Sequence, residues 1–308
     1  MIGWLDKLWV HFPVSGVSTY VFVPPLVMFV VSLLTSTGGV SGAFILLPFQ
    51  VSVFGYTAPG VSATNFVYNI VSIPVGVFRF LRDGHLSRTL FALLFAGTLP
   101  GVLVGYRLHV TVLADPARFR VFAGVILGLL GLRVVQDAFT EWRRARRSAR
   151  PLPVGSEAAA PASERIVGGR VGWSRTSILT TTGELSFPTA ALVLPSLLVG
   201  VAAGAYGIGG GAVLAPLCVS VLRLPPFAVA GATLLSTWVT SVFAALVYAF
   251  MPTAHAALAR PDWLLGMLFG LGGMAGIYLG ARLQRRVPPL LVKAILGATL
   301  IAVAVRYL

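Results

Sequence analysis

The sequence predicts an all-α, polytopic membrane protein made of two homologous halves. Three observations carry this. First, 57% of the 308 residues are hydrophobic and only 10% are charged, against about 25% charged in a typical soluble domain. Mean hydropathy is +0.90. Second, apolar runs at 18–35, 90–104, 119–135, 190–203, 234–250, 263–279 and 290–308 approach or reach the ~20 residues needed to span a bilayer. Third, two further apolar stretches, 31–61 and 199–229, are each interrupted by a glycine cluster and resemble each other. The first 17 residues lack the basic start, apolar core and small-residue cleavage site of a secretory signal.

The two broken stretches match at Val31/Val199, Gly39/Gly207, Gly42/Gly210, Leu46/Leu214, Pro48/Pro216, Val51/Val219, Ser52/Ser220, Val53/Val221 and Val61/Val229. One inserted residue later, Ala63-Thr64 aligns with Ala232-Thr233 and Ser72 with Ser241. The stripe Gly97, Gly101, Gly105 returns as Gly272, Gly276, Gly280, followed by Arg107-Leu108 and Arg282-Leu283. Small residues at four-residue spacing are packing faces in membrane helices. Gly124 aligns with Gly297 and Arg133 with Arg306. The expected organisation is an N-terminal tail (1–17), a first transmembrane repeat (18–140), an arginine-rich cytoplasmic linker (141–188) and a second repeat (189–308). Glu141 to Arg175 holds Arg143, Arg144, Arg146, Arg147 and Arg150, then a Pro/Ala/Ser/Gly stretch, a composition that predicts a flexible loop.

Arginine placement orients the halves, because cytoplasmic loops carry the excess of Lys and Arg. Arg79, Arg82 and Arg88 follow the second element of half one, and Arg282, Arg285 and Arg286 follow the third element of half two. With both clusters in the cytoplasm, the halves are inverted repeats that each cross an odd number of times. Each then opens with a glycine-broken helical hairpin, giving 8–10 membrane segments. The alternative makes each broken stretch one long span, with eight helices and parallel halves.

Several classes are disfavoured. The formal net charge of +14 lies in loops and helix ends, and no soluble domain remains to bind nucleic acid. Cys218 is the single cysteine, so no internal disulfide forms. No cluster of Cys, His or carboxylates suggests a metal, and no cofactor is expected. Gly39-Val40-Ser41-Gly42 resembles the nucleophile motif of rhomboid proteases. However, His11, His85, His109 and His255 read as tail or loop residues, and Gly209 replaces Ser41 in the second copy. A serine nucleophile needs a base within reach, so this remains a remote alternative and the chain is not expected to be an enzyme. Gly207–Gly211 has neither the preceding strand nor the Lys-Ser/Thr of a nucleotide loop.

The candidate binding residues lie at the two breaks: Ser36, Thr37, Gly38, Gly39, Ser41 and Gly42, and Tyr206, Gly207, Gly209, Gly210 and Gly211. Glycine permits positive φ and close approach of a ligand. A helix restarting after the break presents unpaired N–H groups and a positive dipole end, which favours an anion. Paired interruptions in two halves mark transport sites at the midplane. The next helices carry Thr64, Asn65, Tyr68, Asn69 and Ser72, and Thr233, Ser236, Thr237, Thr240 and Ser241, at spacings that share one face. Of these, Thr64, Asn65, Asn69, Thr233, Ser236 and Thr237 are expected to line the path, since amides in a span pair or face a cavity. Arg107 and Arg282 are expected to snorkel to the interface. No Asp or Glu falls within an apolar span; Asp137 and Glu184 sit near span ends and Asp83, Asp115 and Asp262 in loops. An exported anion needs no carboxylate relay, because leaving a negative interior gains about 2.3 kcal/mol per charge per 100 mV.

The run Gly207-Ile-Gly-Gly-Gly-Ala-Val-Leu-Ala-Pro216, the continuation Ala228-Val-Ala-Gly-Ala-Thr233 and the duplicated layout resemble the TauE/SafE family of bacterial membrane exporters. The first copy, Ser36 to Pro48, departs from the pattern at Ser41 and Phe44. The resemblance implies export of a small sulfur oxyanion, such as sulfite, sulfoacetate or a related organosulfonate, across the bacterial inner membrane by alternating access. The expected partners are a small anionic substrate and the lipid bilayer; a homo-oligomer is left open. A passive anion channel is the alternative.

Overall fold

The computed structural model describes residues 6–37, 42–147, 165–253, 256–283 and 289–308. Proline and capping residues set the helix starts. Helix α1 (Val23–Thr37) opens on Pro24-Pro25, where the missing N–H would be unpaired anyway. After α2 (Ala43–Ser52) comes α3 (Gly60–Ser72), continued past Pro74 by α4 (Pro74–Arg82). The Ser87 hydroxyl accepts from Leu90 N at 3.2 Å to cap α5 (Arg88–Thr111). Asp115 accepts from Ala117 N at 2.9 Å to open α6 (Pro116–Arg147). The second half runs through α7 (Ala190–Tyr206), α8 (Gly211–Ser220), α9 (Pro226–Phe250), the short α10 (Ala256–Ala259), α11 (Trp263–Leu283) and α12 (Pro289–Tyr307).

Among the described residues, six helices are long and apolar enough to cross a membrane: Gly60–Arg82, Arg88–Thr111, Pro116–Arg143, Pro226–Phe250, Ala257–Gly280 and Leu290–Tyr307. Three lie in each half, and α1, α2 and α7 are shorter apolar helices. At 1.5 Å per residue α6 is about 48 Å long, so it outruns a hydrocarbon core of ~30 Å. Its arginine-bearing end therefore projects from the bilayer.

Two small sheets supplement the helices. Strands β1 (Trp9–Phe12) and β2 (Val17–Tyr20) form a hairpin ahead of α1. Strands β3 (Ile166–Arg170), β4 (Arg175–Thr180) and β5 (Gly183–Pro188) form an antiparallel meander. The meander corrects the expectation of a flexible loop from Glu141 to Arg175. Helix α6 continues to Arg147, and the strands bury Ile178 and Phe187 in one cluster with Leu90, Leu94 and Leu192. The low-hydrophobicity stretch between them lies outside the described residues.

The halves pack reciprocally. The stripe Gly97, Gly101, Gly105 on α5 lies against Val193, Leu197 and Val201 of α7, and Gly272, Gly276, Gly280 on α11 lies against Pro25, Phe29 and Leu33 of α1. In every case a Cβ on the glycine would meet a backbone carbonyl oxygen. These are the packing faces that the spacing predicts. Numbers rise together in both pairs, so α5 and α7 run parallel, as do α1 and α11.

Two helix pairs that align in sequence run antiparallel to each other. On α6 and α12, Gly124 meets Ala304 and Tyr307, Gly131 meets Leu300 and Ile301, and Glu141 pairs with Lys293. On α3–α4 and α9, Phe66 is beside Tyr248, Ile70 accepts from Trp238 Nε1, and Phe80 touches Gly231.

Candidate transport site

The second break is the better described. Helix α7 ends where Gly207 takes φ 86°, and Gly209 takes φ 71°. Both are left-handed values that side-chain-bearing residues avoid. Helix α8 then starts at Gly211, whose N–H donates to Thr237 Oγ1 at 2.8 Å; that hydroxyl donates to the Thr233 carbonyl at 2.9 Å. One of the unpaired N–H groups of the restarting helix is thus satisfied from α9. A Cβ on Gly207 would lie 2.5 Å from the Ser62 carbonyl, one on Gly209 would strike the Thr237 methyl, and one on Gly210 would lie 3.2 Å from the Thr98 methyl. The break therefore sits where α3, α5 and α9 converge.

At the first break, Gly38, Gly39 and Ser41 lie outside the described residues. Thr37 closes α1 and Ala43 opens α2. Ser36 Oγ bonds its own helix, at Leu33 O, 3.1 Å away. Gly42 is buried, and a Cβ there would lie 2.8 Å from the Tyr68 hydroxyl and 3.0 Å from Ser32 Oγ. Tyr68 is the aligned counterpart of Thr237, so each half-helix start is covered by a hydroxyl from the same position of its own half. The two breaks meet: Tyr206 donates its hydroxyl to the Phe44 carbonyl at 3.3 Å, and Ala43, Phe44, Ala205, Tyr206 and Ile208 share one buried cluster.

The polar residues expected on one face of α3 divide among several neighbours. Thr64 Oγ1 accepts from Asp262 N at 3.0 Å, at the head of α11. Asn65 braces α2, donating to the Ala43 carbonyl at 3.1 Å and accepting from Gln50 Nε2 at 3.1 Å. Tyr68 bonds Ser32 of α1 at 3.1 Å. Asn65 also touches the second break through its Cβ, 3.0 Å from a Cβ on Gly207, while Asn69 brings its amide there, where a Cβ on Gly209 would lie 3.5 Å from Nδ2. Asn69 is 0% exposed, and neither Nδ2 nor Oδ1 has a hydrogen-bond partner. Leaving such groups unpaired costs ~1–3 kcal/mol each. On α9, Thr233 bonds back to Val229 O at 3.0 Å, Ser236 and Thr237 are buried, and Thr240 meets Thr98 at 3.2 Å.

Asn69, Thr98, Thr237 and Gly209–Gly211 thus form a buried, uncharged cluster with amide, hydroxyl and backbone groups. Thr98, Gln50 and Ser62 were missed in sequence; Ser62 donates to the Ala205 carbonyl at 2.7 Å. Their signal was present, since each is a polar residue in an apolar run. One further expectation needs correction. His109 is not in a tail or loop: it sits in the last turn of α5, 1% exposed, with Nδ1 2.9 Å from the Tyr248 hydroxyl and its ring stacked on Phe119. Asp262 lies in the loop ahead of α11, as its place in the sequence predicts, and is buried there, accepting from Leu265 N, Ser15 N and Ser15 Oγ.

Apolar spans, reciprocal halves and a buried polar cluster at a helix break define a multi-pass membrane transporter. The chain belongs to the sulfite exporter TauE/SafE family, whose model matches residues 25–307. It is also similar to a probable membrane transporter protein of Xylella fastidiosa strain 9a5c, at 26% identity over 273 residues, covering 87% of each chain. The counterpart in strain Temecula1 is likewise 26% identical over the same span and share. No solved structure is significantly similar. The family is one of membrane transporters rather than enzymes.

Proposed function

We propose that this chain is a secondary transporter that exports a small sulfur-containing oxyanion, such as sulfite, sulfoacetate or a related organosulfonate, across the bacterial inner membrane by alternating access. The substrate is held by the half-helix starts at the two breaks, with Asn69 and Thr237 beside it. The single observation that carries the reading is the Asn69 amide, fully buried and unpartnered beside Gly209. A polar group in a span that pairs with nothing in the protein is suited to a ligand. The family's sulfite exporters supply the sulfur chemistry.

The two halves act as inverted repeats. The antiparallel crossing of α6 with α12 and of α3–α4 with α9 supports this, because parallel repeats would run equivalent helices in the same direction. With Arg143, Arg144, Arg146 and Arg147 in the cytoplasm, the β1–β2 hairpin and the end of α12 face outward. Inverted halves offer two equivalent arrangements that rocking can exchange.

Proteoliposomes loaded with labelled sulfite, sulfoacetate or thiosulfate test the reading. Efflux should be faster with an interior-negative potential and should be accelerated by external unlabelled anion. Efflux that external anion does not accelerate identifies a passive channel instead. An Asn69→Leu variant that carries normal flux removes the proposed site.

A further inference from the structure

At the end of the molecule where α2 and α12 finish and α6 begins, a cavity of about 170 Å³ is lined by Val51, Ser52, Arg120, Arg306 and Tyr307. Its floor is polar and fixed: the Tyr307 hydroxyl lies 2.8 Å from Ser52 Oγ and 3.3 Å from the Pro48 carbonyl. Among the described residues, Arg120 and Arg306 form no ion pair or hydrogen bond, and both act electrostatically on Tyr307. The nearby Arg118 differs, being paired with Asp115 at 3.8 Å.

Helix electrostatics account for one of the two guanidiniums. Arg306 stands in the last turn of α12, where a cation complements the macrodipole. Arg120 stands near the positive start of α6, where a cation is disfavoured. Both guanidiniums are solvent-exposed, so water screens their mutual repulsion, and an anion held between them would gain from both charges. At about 30 Å³ per water, a volume of about 170 Å³ corresponds to roughly six water-sized groups, room enough for the five heavy atoms of a tetrahedral oxyanion. Guanidinium forks match the geometry of such oxygens.

We propose that Arg120 and Arg306, with Ser52 and Tyr307, form a binding site for a tetrahedral oxyanion, separate from the buried helix breaks. Its ligand is either a free anion or the phosphate of an anionic lipid, and the chemistry of recognition is the same. Occupancy would clamp the end of α12 to the first turn of α6.

The test uses the full-length protein in nanodiscs. Calorimetric titration with sodium sulfate in discs of phosphatidylcholine alone reads the free anion. Retention of phosphatidylglycerol over phosphatidylcholine, by native mass spectrometry, reads the lipid. Either binding signal supports the site when Arg120→Gln and Arg306→Gln each weaken it by about tenfold or more while Arg118→Gln leaves it unchanged. Arg120→Lys, which keeps charge but loses the fork, should fall between, and it serves if the glutamine variants are unstable. The proposal is overturned if wild type prefers neither ligand, or if Arg120→Gln and Arg120→Lys both bind like wild type. Asn69→Leu should leave this binding intact, so failure here and failure of the transport site are read separately.

Discussion

Gly211 donates its backbone N–H to Thr237 Oγ1 at 2.8 Å, tying the first turn of α8 to the middle of α9. Thr237→Val keeps the volume but strands that buried N–H. The expected loss is ~1–3 kcal/mol, read as a lower melting temperature of the purified protein. Thr237→Ser should retain most of the stability, and equal melting of the Val and Ser variants would contradict the role of the hydroxyl.

Asn65 and Asn69, one helical turn apart, should behave oppositely. Asn65→Ala cuts the bonds to Gln50 and to the Ala43 carbonyl, so it should destabilise by roughly 1–3 kcal/mol. Asn69→Ala breaks no bond within the protein. It removes two unpaired buried polar atoms, so melting should be at or above wild type while flux in proteoliposomes falls. A melting temperature lowered as far by Asn69→Ala as by Asn65→Ala would show that Asn69 has a purely structural part.

The glycine stripes give a prediction with internal controls. Gly101→Val and Gly276→Val each force a side chain into the backbone of the neighbouring helix, near Leu197 and Phe29 respectively. Overpacking of this kind costs ~1–3 kcal/mol or more, and here backbone must move, so yield of monodisperse protein should fall sharply. Gly168→Ala meets nothing within 4 Å and should express normally. Size-exclusion profiles of the three variants decide the matter.

Lys293 of α12 is paired with Glu141 of α6, the lysine side chain 9% exposed and the glutamate 30%. Lys293→Met leaves a half-covered carboxylate without its cation. The cost should reach at most the ~3–5 kcal/mol seen for fully buried pairs, because water still reaches Glu141. Adding Glu141→Leu should recover part of the loss in a double-mutant cycle. A strictly additive cycle would mean that the two groups do not interact.

The orientation of the halves is open to labelling. In cysteine variants of otherwise cysteine-free protein, Trp173→Cys should react with an impermeant maleimide only after the inner face is exposed. Arg282→Cys, at the end of α11, should be protected in the same way, whereas Arg118→Cys should react from outside in intact cells. Arg282→Cys reacting from outside like Arg118→Cys would refute inverted halves, because only parallel halves put both on the outer face.

The sequence carried a great deal of this architecture, and the reasons differ by element. Gly97–Gly105 and Gly272–Gly280 announced close packing because four-residue spacing of the smallest residue has one main use in a span. Which helix each stripe would clamp was not legible, since a stripe does not name its partner. The break at Gly207–Gly211 was visible because glycine density interrupts helix propensity. The fate of Thr64, Asn65 and Asn69 was not: α3 is enclosed on several sides, so shared periodicity did not mean a shared neighbour. His109 was misplaced because a histidine beside Arg107 reads as a helix end facing water, whereas Phe119 and Tyr248 cover it. The β-meander was missed because its short strands follow a polar, proline-rich stretch that dominates any composition window.

Reciprocal clamping has a consequence for synthesis. The carbonyls of α1 that meet α11 belong to Pro25, Phe29 and Leu33, and the glycines they meet are Gly272, Gly276 and Gly280. At roughly 5–20 residues per second, the ribosome needs on the order of tens of seconds to travel between them. Throughout that interval α1 has left the exit tunnel without its mate, and a chain released early would carry it bare. A helix made early is thus secured late, which leaves the nascent protein dependent on whatever shelters α1 beside the insertion machinery.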